Sequence, residues 1–185
     1  AMDQLQISMF TVIGATVDGD IFHSFMGFIP RREEGDWNFW RQAVPGNTSR
    51  YLWDDIHPFA DLPWIENPPL GWVQNANEPP WTTTFPLYQP EMDPSNYPAY
   101  FAPSPYMGWR PQVSARLLHT NENITFDQFS ELKHSTLKEF AFKAVPELLA
   151  AIEQYGGGDA DLEEVAAIWR EWDFTYDTTA RGAVL

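Results

Sequence analysis

The sequence NPPLGWVQNANEPPW, residues 67–81, is the most informative stretch of the chain. Two proline pairs bracket it, and proline fixes φ and removes a backbone donor, so the stretch cannot continue as a helix or a central strand. We predict an extended segment that presents Gln74, Asn75 and Asn77. A rigidly held asparagine carries two amide N–H donors and no charge, so it can stabilise a developing oxyanion without titrating. The alternative is that both asparagines satisfy loop backbone groups, and spacing alone favours that interpretation.

The proline-rich character extends well beyond this stretch. Residues 58–111 contain 13 of the 16 prolines and four of the nine tryptophans. We therefore predict a long ordered loop with no long helix or central strand. Loops of this length are uncommon inside compact domains and are usually functional or packed over something.

The N-terminal part indicates a β-hairpin. Residues 4–32 are rich in apolar and β-branched types, and Asp18-Gly19 interrupts them where a turn would fall. The second predicted strand, IFHSFMGFIPRR at residues 21–32, is nearly continuous in apolar side chains. This pattern is typical of a strand inside a sheet that is covered on both faces.

The C-terminal part has helical periodicity. Thr125 and Gln128 have the spacing of a capping box, and apolar residues follow at intervals of three or four as far as Phe140. We expect Pro146 to bend or restart this helix and the glycines at 156–158 to end it.

A second helix is predicted over residues 162–172, with Asp161 as its N-cap. From the residues alone, the fold class is mixed α+β. We divide the chain into sheet strands with their connection (1–57), a Pro/Trp-rich loop (58–111) and a helical lobe (112–185).

Composition excludes several classes of function. The 26 acidic and 11 basic residues give a net charge of -15, which repels the phosphates of nucleic acid and an anionic membrane surface. The chain has no cysteine, so a thiolate nucleophile or metal ligand is ruled out. No apolar stretch has the length of a membrane span. The four histidines, at positions 23, 57, 119 and 134, lack the paired spacing of a metal site.

Five segments, in this order, resemble the β-chain of the penicillin acylase family, which includes penicillin amidases and N-acyl-homoserine-lactone acylases. The central motif, NPPxGWxQNANxPPW, is far more specific than a short isolated motif. The segments are VDGDIFHSFMGFIPRR, VPGNTSRYLWDDIHPFADLP, NPPLGWVQNANEPPW, ITFDQFSELKHSTLKEFA and WREWDFTYDTTARGAVL.

The resemblance implies a partial four-layer αββα sandwich of the N-terminal-nucleophile hydrolases. In that class, a serine freed by self-cleavage attacks a linear amide and uses its own α-amine as base. That serine is expected outside this chain, so the isolated chain is expected to be inactive and to need the α-chain and the rest of the β-chain as partners. The resemblance also implies a periplasmic or secreted location. A β-lactam antibiotic, a lactone signal or a lipopeptide would each be compatible as the small acyl-amide substrate.

The resemblance assigns roles to residues of the central motif. Asn77 matches the family's side-chain oxyanion donor, with Gln74 and Asn75 as supporting groups. Arg110 matches an arginine that orients the catalytic centre, although the spacing to Arg116 leaves the register open by one residue. The alternative for Arg110 is an ordinary surface ion pair.

Other candidates lie farther from the motif. Met9 and Phe10 match the strand that lines the acyl pocket, with core packing as the alternative, and Trp81 is a further substrate-binding candidate. At Thr11 many relatives would have asparagine, which changes the expected pocket shape. The family implies no cofactor beyond a structural calcium, for which Asp93 is a candidate ligand.

A function from a different class stays open at this point. The aromatic residues of the proline-rich loop could stack on a carbohydrate or a peptide, which would make the chain a non-catalytic binding module on an acylase-like scaffold. A family member that has kept the scaffold and lost the chemistry is a third alternative.

Overall fold

A computed structural model describes residues 4–5 and 9–185. Within these residues the fold is mixed α/β, with a three-stranded antiparallel sheet and five α-helices. The chain divides after Ala115 into two compact units. None of the described helices combines the length and apolar character needed to cross a membrane.

The first unit contains the sheet. Strands β1 (Val12–Ala15), β2 (Ile21–Ser24) and β3 (Trp64–Glu66) are arranged in the order β1-β2-β3. The predicted hairpin is confirmed, since Ala15 pairs with Ile21 and the connecting turn contains a glycine with φ of +97°.

The central position of β2 is also confirmed, but the predicted strand over 21–32 is too long. The strand ends at Ser24: Phe25 still donates its N–H to Pro63 O (2.9 Å), but Pro63 has no N–H with which to return the bond. Residues 6–8, at the start of the predicted hairpin region, lie outside the described residues.

A small apolar cluster stabilises the first unit. Leu5, Met26, Leu62 and Phe101 are buried together, and Val12 of β1 packs against them, which joins the sheet to both ends of the proline-rich segment. Burial of apolar side chains is the main favourable term in folding. The short helix α1 (Trp37–Trp40) is capped by Asp36, whose Oδ1 accepts from Phe39 N–H (2.8 Å).

The proline-rich segment, residues 58–111, has the predicted irregular character. It contains only the three-residue edge strand β3, a series of single 3₁₀ turns and the start of helix α2 (Trp109–His119). Three of these turns begin with a proline at their first position, where a missing N–H costs nothing. The 3₁₀ turns are Phe59–Asp61, Pro80–Thr82, Pro90–Met92 and Pro94–Asn96.

The second unit is helical. Helix α3 (Phe126–Lys133) begins with the predicted capping box: Thr125 Oγ1 accepts from Gln128 N–H (3.3 Å) and Gln128 Oε1 accepts from Thr125 N–H (2.9 Å). The prediction that this helix runs on to Pro146 is wrong, because it ends at Lys133. Beyond its end, Lys138 donates its N–H to Phe174 O (2.9 Å) and Thr136 O accepts from Tyr176 N–H (3.1 Å), and these tertiary bonds replace helical ones.

The next helices also correct the predicted boundaries. Helix α4 (Glu139–Tyr155) runs through Pro146 as one helix and ends at Gly156, as predicted. Helix α5 (Ala160–Glu171) starts two residues before the predicted position. Its cap is Asp159, whose Oδ1 accepts from the N–H groups of residues 161 and 162 (2.9 and 3.2 Å).

Candidate active site

The loop segment that carries the QNAN motif, residues 74–77, is anchored to the segment that follows the motif, at residues 82 and 83. Gln74 donates its backbone N–H to Thr83 O (2.9 Å), and Thr83 Oγ1 donates back to Gln74 O (2.8 Å). The Gln74 side chain is buried and Nε2 donates to Thr82 O (3.1 Å). These bonds replace a sheet ladder that the surrounding prolines prevent, so the backbone of residue 74 is fixed.

A tight turn follows from Asn75 to Glu78. Asn77 donates its N–H to Asn75 Oδ1 (3.1 Å), and Asn75 Nδ2 donates to Glu78 O (3.2 Å). Asn77 has φ of +71°, in the left-handed region where asparagine is tolerated better than most side chains. The side chain of Asn75 therefore satisfies the loop backbone, whereas the side chain of Asn77 stays exposed.

Arg110, in the first turn of α2, reaches this turn. Its Nη2 donates to Asn77 Oδ1 (3.2 Å). Arg110 bonds to the oxygen of the Asn77 amide. Neither N–H group of Asn77 Nδ2 donates to another of the described residues, so both are available to an external acceptor. Arg116, farther along α2, pairs with Glu139 instead (2.6 and 2.7 Å).

A cleft of about 260 Å³ lies at this contact. Its polar side is formed by the Asn77 turn and its aromatic side by Tyr106 and Trp109. The cleft thus places an uncharged amide donor beside a cation and aromatic rings. The lining residues are Ala76, Asn77, Glu78, Tyr106, Gly108, Trp109, Arg110 and Pro111.

Trp81 belongs to a larger neighbouring groove of about 680 Å³, which shares Tyr106 with the cleft. Trp81 is buried, and its Nε1 donates to Pro103 O (3.0 Å). Its ring contacts Tyr97 at a centroid distance of 5.5 Å. The groove wall is built mainly from rings and prolines, a surface suited to an apolar or flat ligand group.

The remaining predicted residues lie away from these contacts. Met9 and Phe10 are exposed, and the contacts described around Asn77 involve neither of them. Asp93 caps a 3₁₀ turn, where Oδ1 accepts from both Ser95 N–H (2.9 Å) and Ser95 Oγ (2.7 Å). These bonds hold the pKa of Asp93 below its usual value. Within residues 4–5 and 9–185, no three His, Cys, Asp or Glu side chains are grouped to hold a metal.

Sequence reasoning missed Glu78, whose side chain is only 6% exposed. Its Oε2 accepts from Ala76 N–H (2.7 Å), and its Oε1 accepts from Gln74 Nε2. A signal existed in the sequence, because Glu78 is the one charged residue between Asn67 and Pro90. A lone acidic residue in an otherwise uncharged stretch beside two prolines indicates a carboxylate with a structural task.

The family model described as penicillin amidase matches residues 1–185. The match spans the whole chain, and it includes both the Asn77 turn and Arg110.

Proposed function

The chain belongs to the penicillin amidase family, and from this membership we propose that the mature protein is an acylase that hydrolyses linear amides through an N-terminal serine outside this chain. The family supports an acylase-type hydrolase. The contact between Asn77 and Arg110 is the observation that supports an oxyanion role for this loop. The intact protein would complete the αββα sandwich around the sheet described above.

The proposed reaction has two steps. The serine Oγ attacks the amide carbonyl carbon and its proton passes to the α-amine of the same residue. The tetrahedral intermediate then collapses, the C–N bond breaks, and the amine leaves with that proton. Water next attacks the acyl-serine ester, which releases a carboxylic acid and restores the serine.

In this mechanism Asn77 acts on the charge that develops on the carbonyl oxygen. Nδ2 donates to that oxygen, and Arg110 holds Oδ1, so the amide need not reorient during the reaction. Preorganised donors of this kind usually contribute about 10²–10³-fold to kcat. The Arg110 charge also polarises the amide and makes its N–H groups better donors.

The aromatic groove next to the cleft is the proposed site for a bulky part of the substrate. Trp81, Tyr97 and Tyr106 contribute rings to it, and Tyr106 also lines the cleft at Asn77. A substrate whose scissile carbonyl lies at Asn77 could therefore extend along the prolines of this groove. We further propose that the mature protein is periplasmic or secreted and contains the complementary α-chain.

The proposal is tested on the full-length gene product. Intact-mass and N-terminal analysis would be combined with a panel of aromatic and long-chain acyl amides, with product acid and amine measured separately. We expect two chains, a new N-terminal serine, and acid and amine released in equal amounts. An uncut chain that hydrolyses none of the amides but binds a carbohydrate or peptide would contradict the proposal and favour the binding-module alternative.

A further inference from the structure

Glu78 is an unusual residue for its environment. Its side chain is almost fully buried, and within the described residues it makes no ion pair with a lysine or arginine. Burial of a carboxylate is costly unless hydrogen bonds replace its lost hydration. The hydrogen bonds that Glu78 accepts must therefore offset the cost of burying its carboxylate.

These bonds fix the segment just before Asn77. One carboxylate oxygen of Glu78 accepts from Ala76 N–H (2.7 Å) and the other accepts from the side chain of Gln74. The backbone carbonyl of Glu78 accepts from Asn75 Nδ2 (3.2 Å). All three residues that precede Asn77 are thus bound to the residue that follows it.

Asn77 lies inside this arrangement with a left-handed backbone. Such a conformation persists only when the surrounding structure holds it in place. The carboxylate of Glu78 holds Ala76 N–H, one residue before Asn77, and the side chain of Gln74, so it ties the segment that leads into Asn77 to the residue that follows it. This tie restricts the direction in which the Asn77 side chain leaves the loop. That direction brings Oδ1 within reach of Arg110 Nη2.

We propose that Glu78 is a positioning residue, which holds the QNAN turn so that the Asn77 amide is aimed at the reacting carbonyl. The inference rests on the proposed function of Asn77. Glu78 acts only through Asn77, because both of its carboxylate oxygens are already occupied by bonds from the loop.

The test uses Glu78→Gln in the full-length enzyme. The new NH₂ group must face either Ala76 N–H or Gln74 Nε2, and both are donors, so one bond is lost without a change in side-chain size. We expect kcat, normalised to titrated active sites, to fall about tenfold, with KM within about twofold. The matched control is Glu66→Gln, an exposed glutamate on β3, which should retain wild-type kcat.

A double-mutant cycle separates positioning from a structural effect. If Glu78 acts through Asn77, Glu78→Gln should reduce kcat by less than about twofold in an Asn77→Ala background. Glu78→Asp keeps the carboxylate on a shorter side chain and should have a kcat between those of the wild type and Glu78→Gln. It also serves as the test if Glu78→Gln does not fold.

Three outcomes would overturn the inference. They are an unchanged or raised kcat in Glu78→Gln, additive losses of kcat in the cycle, or a loss of total activity that is fully explained by fewer titrated active sites. If Asn77→Ala itself has wild-type kcat, the proposed function fails as well. A large effect of Asn77→Ala with none for Glu78→Gln would leave the proposed function standing and remove only this role of Glu78.

Discussion

At the scale of single residues, Asn75 and Asn77 have different tasks although they are two positions apart. Asn75 uses both ends of its amide for the loop backbone, which is the role that spacing alone favours. Asn77 instead combines a left-handed backbone with a side chain that contacts Arg110. Few residue types allow such a backbone and also offer an uncharged donor, and asparagine is one of them.

His23 gives a prediction about pH. It is fully buried in the central strand β2, and burial lowers its pKa from 6.5 to about 4. Between pH 6.5 and about pH 4, His23 is protonated in the unfolded chain and neutral in the folded chain. The free energy of unfolding should therefore fall as pH drops from about 6.5 to about 4, by about 3 kcal/mol from this residue.

Urea unfolding of the full-length protein between pH 7.5 and pH 4 would measure this effect. His23→Phe, which removes the titrating group, should flatten the dependence in that range. His134→Gln, at an exposed histidine, should retain the wild-type dependence. Equal slopes for the wild type and His23→Phe would show that His23 does not carry the effect.

The sequence could indicate residue types but not their side-chain partners. Asn77 and Arg110 are separated by 33 positions, and their contact depends on where the irregular loop places the start of α2. No periodic pattern encodes that placement. The family resemblance named both residues, and only the structure brought them together.

At the scale of elements, the reliable predictions were those with a local cause. The capping box at Thr125 and Gln128 was read correctly because both partners lie within one turn of helix. The break at 134–138 was missed because it depends on bonds to residues 174–176, more than 30 positions away. Between residues 134 and 138, tertiary contacts outweigh the local helix propensity.

Arg116 and Glu139 link α2 to the start of α4 within the second unit. Glu139 is 4% exposed, and Arg116 bonds to both of its carboxylate oxygens, which lowers the pKa of Glu139. Arg116→Met would remove both hydrogen bonds to this buried carboxylate and leave only the Lys143 charge nearby. We expect the free energy of unfolding to decrease by about 2–3 kcal/mol, less than for a fully buried pair because the Arg116 side chain is 39% exposed.

Chemical denaturation at pH 7 would measure this change. Arg170→Met, at an exposed arginine on α5, is the matched control and should be close to neutral. The double variant Arg116→Met/Glu139→Gln should recover part of the loss, because no buried charge remains. Equal stability of the Arg116 and Arg170 variants would contradict the account.

Since the pKa of Glu139 is lowered, the contribution of the pair to stability is present above the unfolded pKa of Glu139 and is lost as the pH falls through its folded pKa.

At the scale of the whole molecule, the mixed α/β character could be predicted, whereas the form of the candidate-site region could not. The hairpin, the central strand and, in outline, helices α3 to α5 follow from periodicity and turn residues, whereas α1 and α2 were not predicted. The path of residues 58–111 follows from side-chain bonds such as those of Thr83 and Glu78, which leave no periodic trace in the sequence. The penicillin amidase family model matches both parts.

The central claim is that the Asn77 amide stabilises the oxyanion, and the kcat of Asn77→Ala in the full-length enzyme tests it most directly. Asn123→Ala is the matched control, because Asn123 is also exposed and also has a left-handed backbone, with φ of +52°. We predict that Asn77→Ala lowers kcat by about 10²–10³-fold with little change in KM, while Asn123→Ala keeps wild-type kcat. A kcat for Asn77→Ala within about threefold of the wild type would contradict the account.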